Sequence, residues 1–190
     1  MDMATRVRRA WSQLAGQVLQ LPETDAASVL NVTKDWIRTE GLRISKALPS
    51  RLPHWGALDA LVHLPVVDFC YSPLSLAAFV DALRGPAHVV DPAEFMTQVD
   101  RRVGEVITAR WGDCPRCSQG MRRVLVVAGT RTLVFDCDEI CAPLREDGTA
   151  LDAHDRLWPA PFALMRERGI VPTDEHWPAN PMLAVGSGAN

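Results

Sequence analysis

The chain has 190 residues, 47% of them hydrophobic and 23% charged, which is globular composition with enough apolar material for one substantial core and excludes disorder as its organising state. A formal net charge of −3 and a pI near 5.9 argue against a chain-wide phosphate-binding surface. No apolar run approaches the roughly 18 residues of a membrane span, and no apolar core of a signal peptide follows Arg6, Arg8 and Arg9. The expectation is a cytoplasmic chain with no membrane association.

The first hundred residues read as helices. Val7, Trp11, Leu14 and Val18 recur at helical spacing, with Arg8 and Arg9 outside the stripe, and Leu21-Pro22 closes the segment. Thr24 is placed to cap a second helix in which Val29, Val32 and Trp36 share a face, and Gly41 is a natural stop. Residues 42–71 are cut by Pro49, Pro53 and Pro65; Leu42, Ile44 and Leu48 fit a short strand or an irregular helix. Ser72-Pro73 opens a helix that Gly85-Pro86 closes. Asp91-Pro92-Ala93-Glu94 repeats the entry signal with a capping-box glutamate, and Phe95, Val99, Val103 and Val106 predict a core-facing stripe up to about Trp111.

Beyond Trp111 the period changes. Arg123 to Val127 and Thr132 to Asp136 are β-branched, apolar runs joined by the turn Ala128-Gly129-Thr130-Arg131. Then follow Pro143, Pro159, Pro161, Pro172, Pro178 and Pro181, with a short helix predicted from Pro161 to Gly169, Phe162 and Met165 facing inward, and a frayed end from Ala184. The predicted fold is α+β: a helical body over 1–110, a hairpin-bearing insertion over 111–142, and a proline-rich segment over 143–190 that packs back, all as one cooperative unit.

Four of the five cysteines fall in two pairs, Cys114/Cys117 and Cys137/Cys141, with nineteen residues between the pairs. A short spacer lets two sulfurs approach one ion at about 2.3 Å each, and a hairpin brings the distant pair alongside, so the spacing suits one tetrahedral zinc bound by four thiolates. The alternatives are two disulfides, a redox dithiol or a site that has lost its metal. Disulfides fit poorly without export. A redox pair normally opens a helix, whereas Cys114-Pro115-Arg116-Cys117 precedes a strand, and Asp136, Asp138 and Glu139 disfavour thiolates unless a cation is present.

Cys114-Pro115-Arg116-Cys117 followed by Gly120, the hairpin of 122–136 and the returning Cys137-Asp138-Glu139-Ile140-Cys141 resemble a zinc ribbon. The resemblance spans about residues 111–142 and implies a structural zinc as cofactor, with Cys114, Cys117, Cys137 and Cys141 as its ligands. The second knuckle departs from the family pattern, with three intervening residues where two are usual.

Other residues carry weaker signals. Cys70, in an apolar run, reads as an inert core thiol. His154 stands between Asp152 and Asp155, and His176 follows Asp174 and Glu175, either of which would serve a general base if it lined a cleft. Trp11, Trp36 and Trp111 fall on apolar faces. Trp55, Trp158 and Trp177 lie beside prolines or turns and, with Asp138 and Glu139, are the candidate partner-binding residues. There is no phosphate loop, dinucleotide fingerprint, paired-histidine zinc motif or nucleophile elbow.

Zinc ribbons commonly recognise nucleic acids or proteins. Residues 110–147 carry six arginines against six acids, and a nucleic-acid surface would need arginines such as Arg116, Arg122 and Arg123 on one face. The favoured expectation is therefore a protein-binding role. Its concrete form is a bacterial immunity or antitoxin-like protein occluding a basic toxin. A small zinc-ribbon nucleic-acid-binding or transcription-linked protein is the alternative, and an enzyme built on His154 or His176 comes third.

Overall fold

The computed structural model describes residues 2–22, 25–48, 56–137, 139, 141–172 and 177–178. Thr24, Pro49, Pro53, Trp55, Asp138, His176, Pro181 and the stretch from Ala184 lie outside them. The fold is α+β, as expected, with helices preceding an antiparallel sheet.

Helix α1 (Met3–Leu19) starts on Asp2, whose carboxylate accepts the Thr5 N–H at 2.8 Å. It buries Val7, Ala10, Trp11, Leu14 and Val18. Helix α2 (Ala26–Trp36) is capped by Asp25, which accepts from Ser28. Its Trp36 donates Nε1–H to the Ala10 carbonyl at 2.7 Å, tying α2 to α1.

Gly41 does not stop the chain. A π-helical turn, Ile37–Gly41, runs straight into α3 (Leu42–Ala47). A Cβ at Gly41 would lie 3.3 Å from the Ile37 side chain, so the glycine makes room inside the wound backbone rather than ending it. Helix α4 (Gly56–His63) is closed at its C-terminus by two cations from the preceding segment. Lys34 donates to the Leu64 carbonyl at 2.5 Å and Arg38 to that of Val62 at 3.1 Å.

Helix α5 (Pro73–Arg84) begins after Ser72, whose hydroxyl accepts the Ser75 N–H. Helix α6 (Pro92–Ile107) begins after Asp91, which accepts the Ala93 N–H at 2.8 Å. The reciprocal half of the capping box is missing, because Glu94 accepts from Gln98 instead. The helix ends at Ile107 rather than Trp111. Thr108 and Ala109 turn the chain, the Val124 N–H bonds the Ala109 carbonyl, and Trp111 belongs to the first strand of the sheet. The helices bury one cluster in which Leu14, Leu30, Leu58, Phe79, Met96 and Val103 are nearly inaccessible.

The sheet contains β2 (Arg110–Asp113), β3 (Met121–Val127), β4 (Leu133–Cys137), β5 (Leu144–Arg145) and β6 (Leu157–Pro159). Strands β3 and β4 form the expected hairpin, its turn relieved by Gly129 at φ +74°. The other edge of β3 is shared: β2 pairs its first half, opposite Met121 and Arg123, and β6 pairs its second half, opposite Leu125 to Val127. One sheet face, with Val124, Val126 and Leu133, packs on Leu164 and Met165 of α7 (Phe162–Glu167) in a second, smaller cluster. Trp158 packs against both clusters and donates Nε1–H to Asp59 at 3.0 Å. A short pair outside this sheet joins β1 (Cys70–Tyr71) to β7 (Trp177–Pro178).

Candidate metal centre

The cysteines are placed by strand ends. Cys114 follows β2 directly, and the turn through Pro115 and Arg116 is closed by Ser118 N–H to the Cys114 carbonyl at 2.8 Å and Cys114 N–H to the Gly120 carbonyl at 2.7 Å. Ser118 takes the left-handed conformation, φ 55°, that this turn requires. Cys137 is the last residue of β4, and Cys141 returns after the longer knuckle. The strand pairing of β3 with β4, two largely apolar and β-branched runs, thus carries one knuckle to the other.

All four Sγ atoms lie within 4.8 Å of one another, and those of Cys117 and Cys137 are 3.6 Å apart. Sulfurs at about 2.3 Å from one tetrahedral ion stand roughly 3.8 Å from each other, so the cluster has the dimensions of a metal cage. It is far too open for disulfides at about 2.05 Å. Four cysteines in this arrangement could hold a metal ion. Cys114 and Cys137 are buried, while Cys117 and Cys141 are half-buried. Arg116 clips the knuckles together by donating to the Ala142 carbonyl at 2.7 Å.

The thiols differ before any cation arrives. The Arg116 backbone amide holds the Cys114 thiol below its ordinary range. Desolvation, then the Cys114 and Cys117 sulfurs, pushes Cys141 up to about 12. A divalent cation removes that conflict by making thiolate the favoured form at every position. Cys70, by contrast, is fully buried and pushed up to about 12 by burial alone.

The remaining candidates scatter. His154 is exposed, and the acids beside it serve another group: Arg145 donates to Asp152 at 2.5 Å and to Asp155 at 2.6 Å. Glu139 is exposed beside the metal centre. Trp158 is half-buried, bonded to Asp59 and stacked on His63 with ring centroids 5.6 Å apart, so its indole is committed to the junction of body and sheet. Trp177 supplies a strand position opposite Tyr71.

The arginines around the cysteine cluster do not all share a face. Arg122 and Arg123 are consecutive in β3 and point to opposite sides. Arg123 faces the helices, where Asp136 accepts from it at 2.6 Å. On that side a cleft of about 520 Å³ separates the sheet from α6 and the start of α4; Asp100, Thr108, Arg110, Arg123, Asp136 and Glu139 are among its lining residues. Asp100 accepts the Leu58 N–H at 2.9 Å, and burial pushes its carboxyl up to about 6 against the lowering effect of the first α4 amides. Its role is invisible in sequence because the helix it caps lies 42 residues away. Comparison with protein-family models, curated proteins and solved structures found no match.

Proposed function

We propose that Cys114, Cys117, Cys137 and Cys141 hold one structural zinc ion and that the chain acts by binding another protein. The observation behind this reading is the convergence of four thiols on a single point, joined by no described His, Asp or Glu. Four thiolates fill a tetrahedral ion and leave no position for a substrate water, so the metal works as a clamp. A sheet whose own apolar cluster is small has reason to need one.

The protein-binding half rests on charge. The ribbon's arginines are divided between the two sheet faces and internal bonds, whereas nucleic-acid affinity needs them gathered to neutralise phosphates. With a net charge of −3 and Glu139 exposed beside the metal centre, a basic partner is the concrete form, as in an immunity protein that occludes a toxin.

Elemental analysis and thiol titration test the metal. One zinc per chain with four protected thiols is expected, and no stoichiometric metal with all four freely titratable refutes it. Affinity capture from native cells, with and without nuclease, tests the partner. A stoichiometric protein that survives nuclease is expected; recovery that depends on nucleic acid overturns the protein-binding reading.

A further inference from the structure

We infer that Arg122 is the built-in counter-charge of the metal centre, a positioning residue that sets how tightly the four cysteines hold zinc; this rests on the zinc reading above. Arg122 in β3 is the direct cross-strand partner of Cys137 in β4. Directly opposed side chains leave the same sheet face with Cβ atoms roughly 4.5–5.5 Å apart. A cation is therefore rooted beside one of the sulfurs.

Its guanidinium is held in place by aromatic rings from both flanking strands. The Arg122 Cζ lies 4.1 Å from the ring centroid of Trp111 in β2 and 5.4 Å from that of Phe135 in β4. The two rings meet over β3 with centroids 5.4 Å apart. Gly112 completes the seat: its φ is +56°, and a Cβ there would stand 3.3 Å from the Arg122 Nη2. The irregular register of β2 between Arg110 and Asp113 thus leaves room for this side chain.

Among the described residues the seat holds no anion. The Arg122 Nε is buried without a hydrogen-bond acceptor, and no carboxylate among the described residues forms an ion pair with Arg122. The Nε of its neighbour Arg123 is also buried without an acceptor, but Arg123 pairs with Asp136 through Nη2, and Arg145 has both Asp152 and Asp155. A half-buried cation without a counter-ion is costly. Zinc with four thiolates carries a net charge of −2, which supplies the missing anion on the same face. Loading the site relieves Arg122, and Arg122 in turn favours the loaded site. Arg116, between Cys114 and Cys117, adds a positive charge of its own, with its guanidinium oriented by the Ala142 carbonyl.

The test is competition for zinc between the purified, reduced full chain and a chromogenic chelator, for wild type, Arg122→Met and Arg122→Lys. Methionine keeps apolar contact with the rings and loses the charge; lysine keeps the charge. Losing a group that supports metal ligands typically weakens affinity 10–100-fold. The expected result is a loss of about that size for Arg122→Met and of less than about threefold for Arg122→Lys.

Unchanged affinity in Arg122→Met overturns the inference and leaves the zinc site standing. Equal losses in both variants also overturn it, because they assign Arg122 a packing role. A wild-type chain that binds no zinc removes the zinc reading and this inference together. If Arg122→Met does not fold, Arg122→Gln is compared with Arg122→Lys under the same criteria.

Discussion

Gly56 brings the start of α4 close against the sheet, and replacing it with alanine measures what that approach is worth. A Cβ at Gly56 would lie 2.6 Å from the Leu157 carbonyl oxygen, whereas ordinary contact begins at 3.4 Å. Helix and strand must therefore part by about 0.8 Å. The obstacle is backbone, and it cannot rotate away. Leu157 pairs with Val127, and the next residue, Trp158, is bonded to Asp59 one turn into α4. Overpacking of this kind costs about 1–3 kcal/mol, and the entropy gained by replacing glycine returns no more than about 1 kcal/mol. The net expectation is a loss of about 1–2 kcal/mol, or roughly 2–8 °C in melting temperature for a chain of this size.

Gly16→Ala is the control, because nothing lies within 4 Å of a Cβ at Gly16 in α1. Relief of the glycine penalty there predicts a gain of about 0.5–1 kcal/mol. Urea unfolding, followed by circular dichroism and by tryptophan fluorescence under one fixed metal condition, reads both variants. If body and sheet form one cooperative unit, Gly56→Ala moves a single transition that both probes share. Gly56→Ala as stable as wild type refutes the close-approach argument. Two separated transitions refute the single unit.

Three further outcomes follow from the same geometry. Ser118→Gly removes the strain of a left-handed serine, φ 55°, and should stabilise the chain by about 0.5–1 kcal/mol in urea unfolding; a loss would mean that the serine side chain holds the knuckle. Trp158→Phe keeps a ring over His63 but deletes the bond to Asp59, and should cost about 1–2 kcal/mol by the same measurement. Asp100 has a folded-state value raised to about 6 from 3.8, so the folded chain holds this proton more tightly than the unfolded chain does. The stabilisation is complete below about 3.8 and lost as pH rises through about 6. Asp100→Asn keeps an acceptor for the Leu58 N–H and cannot titrate. The stability of wild type relative to Asp100→Asn should therefore fall from pH 4 to pH 6, and a rise across that window would overturn the assignment.

What the sequence disclosed divides along local and tertiary causes. The stripes of α1 and α6, the Ser72 and Asp91 caps and the β3–β4 hairpin come from periodicity and turn chemistry within a few residues, and they were legible. So was the convergence of the cysteines, since hairpin pairing alone carries Cys137 to Cys117. Gly41 misled because its local preference for ending helices lost to space beside Ile37. Trp111 continued a helical stripe in sequence but went to β2, where pairing with β3 outweighs one further turn of α6. Strands of two or three residues, such as β5 and β6, carry too little pattern to be read; they exist because β3 and β4 offer open edges. Asp100, Arg116 and the Trp111–Arg122–Phe135 stack depend on partners distant in sequence or across strands, for which no local signal exists.

The sheet's dependence on two fastenings explains where the cleft lies. At one end of β3 the knuckles gather four sulfurs and Arg116 ties them together. At the other end β6 lays Trp158 across α4 and brings Leu157 against Gly56. Between these points the sheet face carries Arg110, Arg123 and Asp136 opposite Asp100 and Thr108, and charged side chains facing one another keep water rather than close into a core. A strip held at both ends and lined by charged side chains between them leaves a cleft instead of an apolar seam. If the four cysteines hold a metal ion, its removal frees one end while the Trp158 junction keeps the other, so chelation should raise amide exchange in β2 and the knuckles more than in β6. Equal exchange throughout the sheet would show that the metal end is held by something other than its sulfurs.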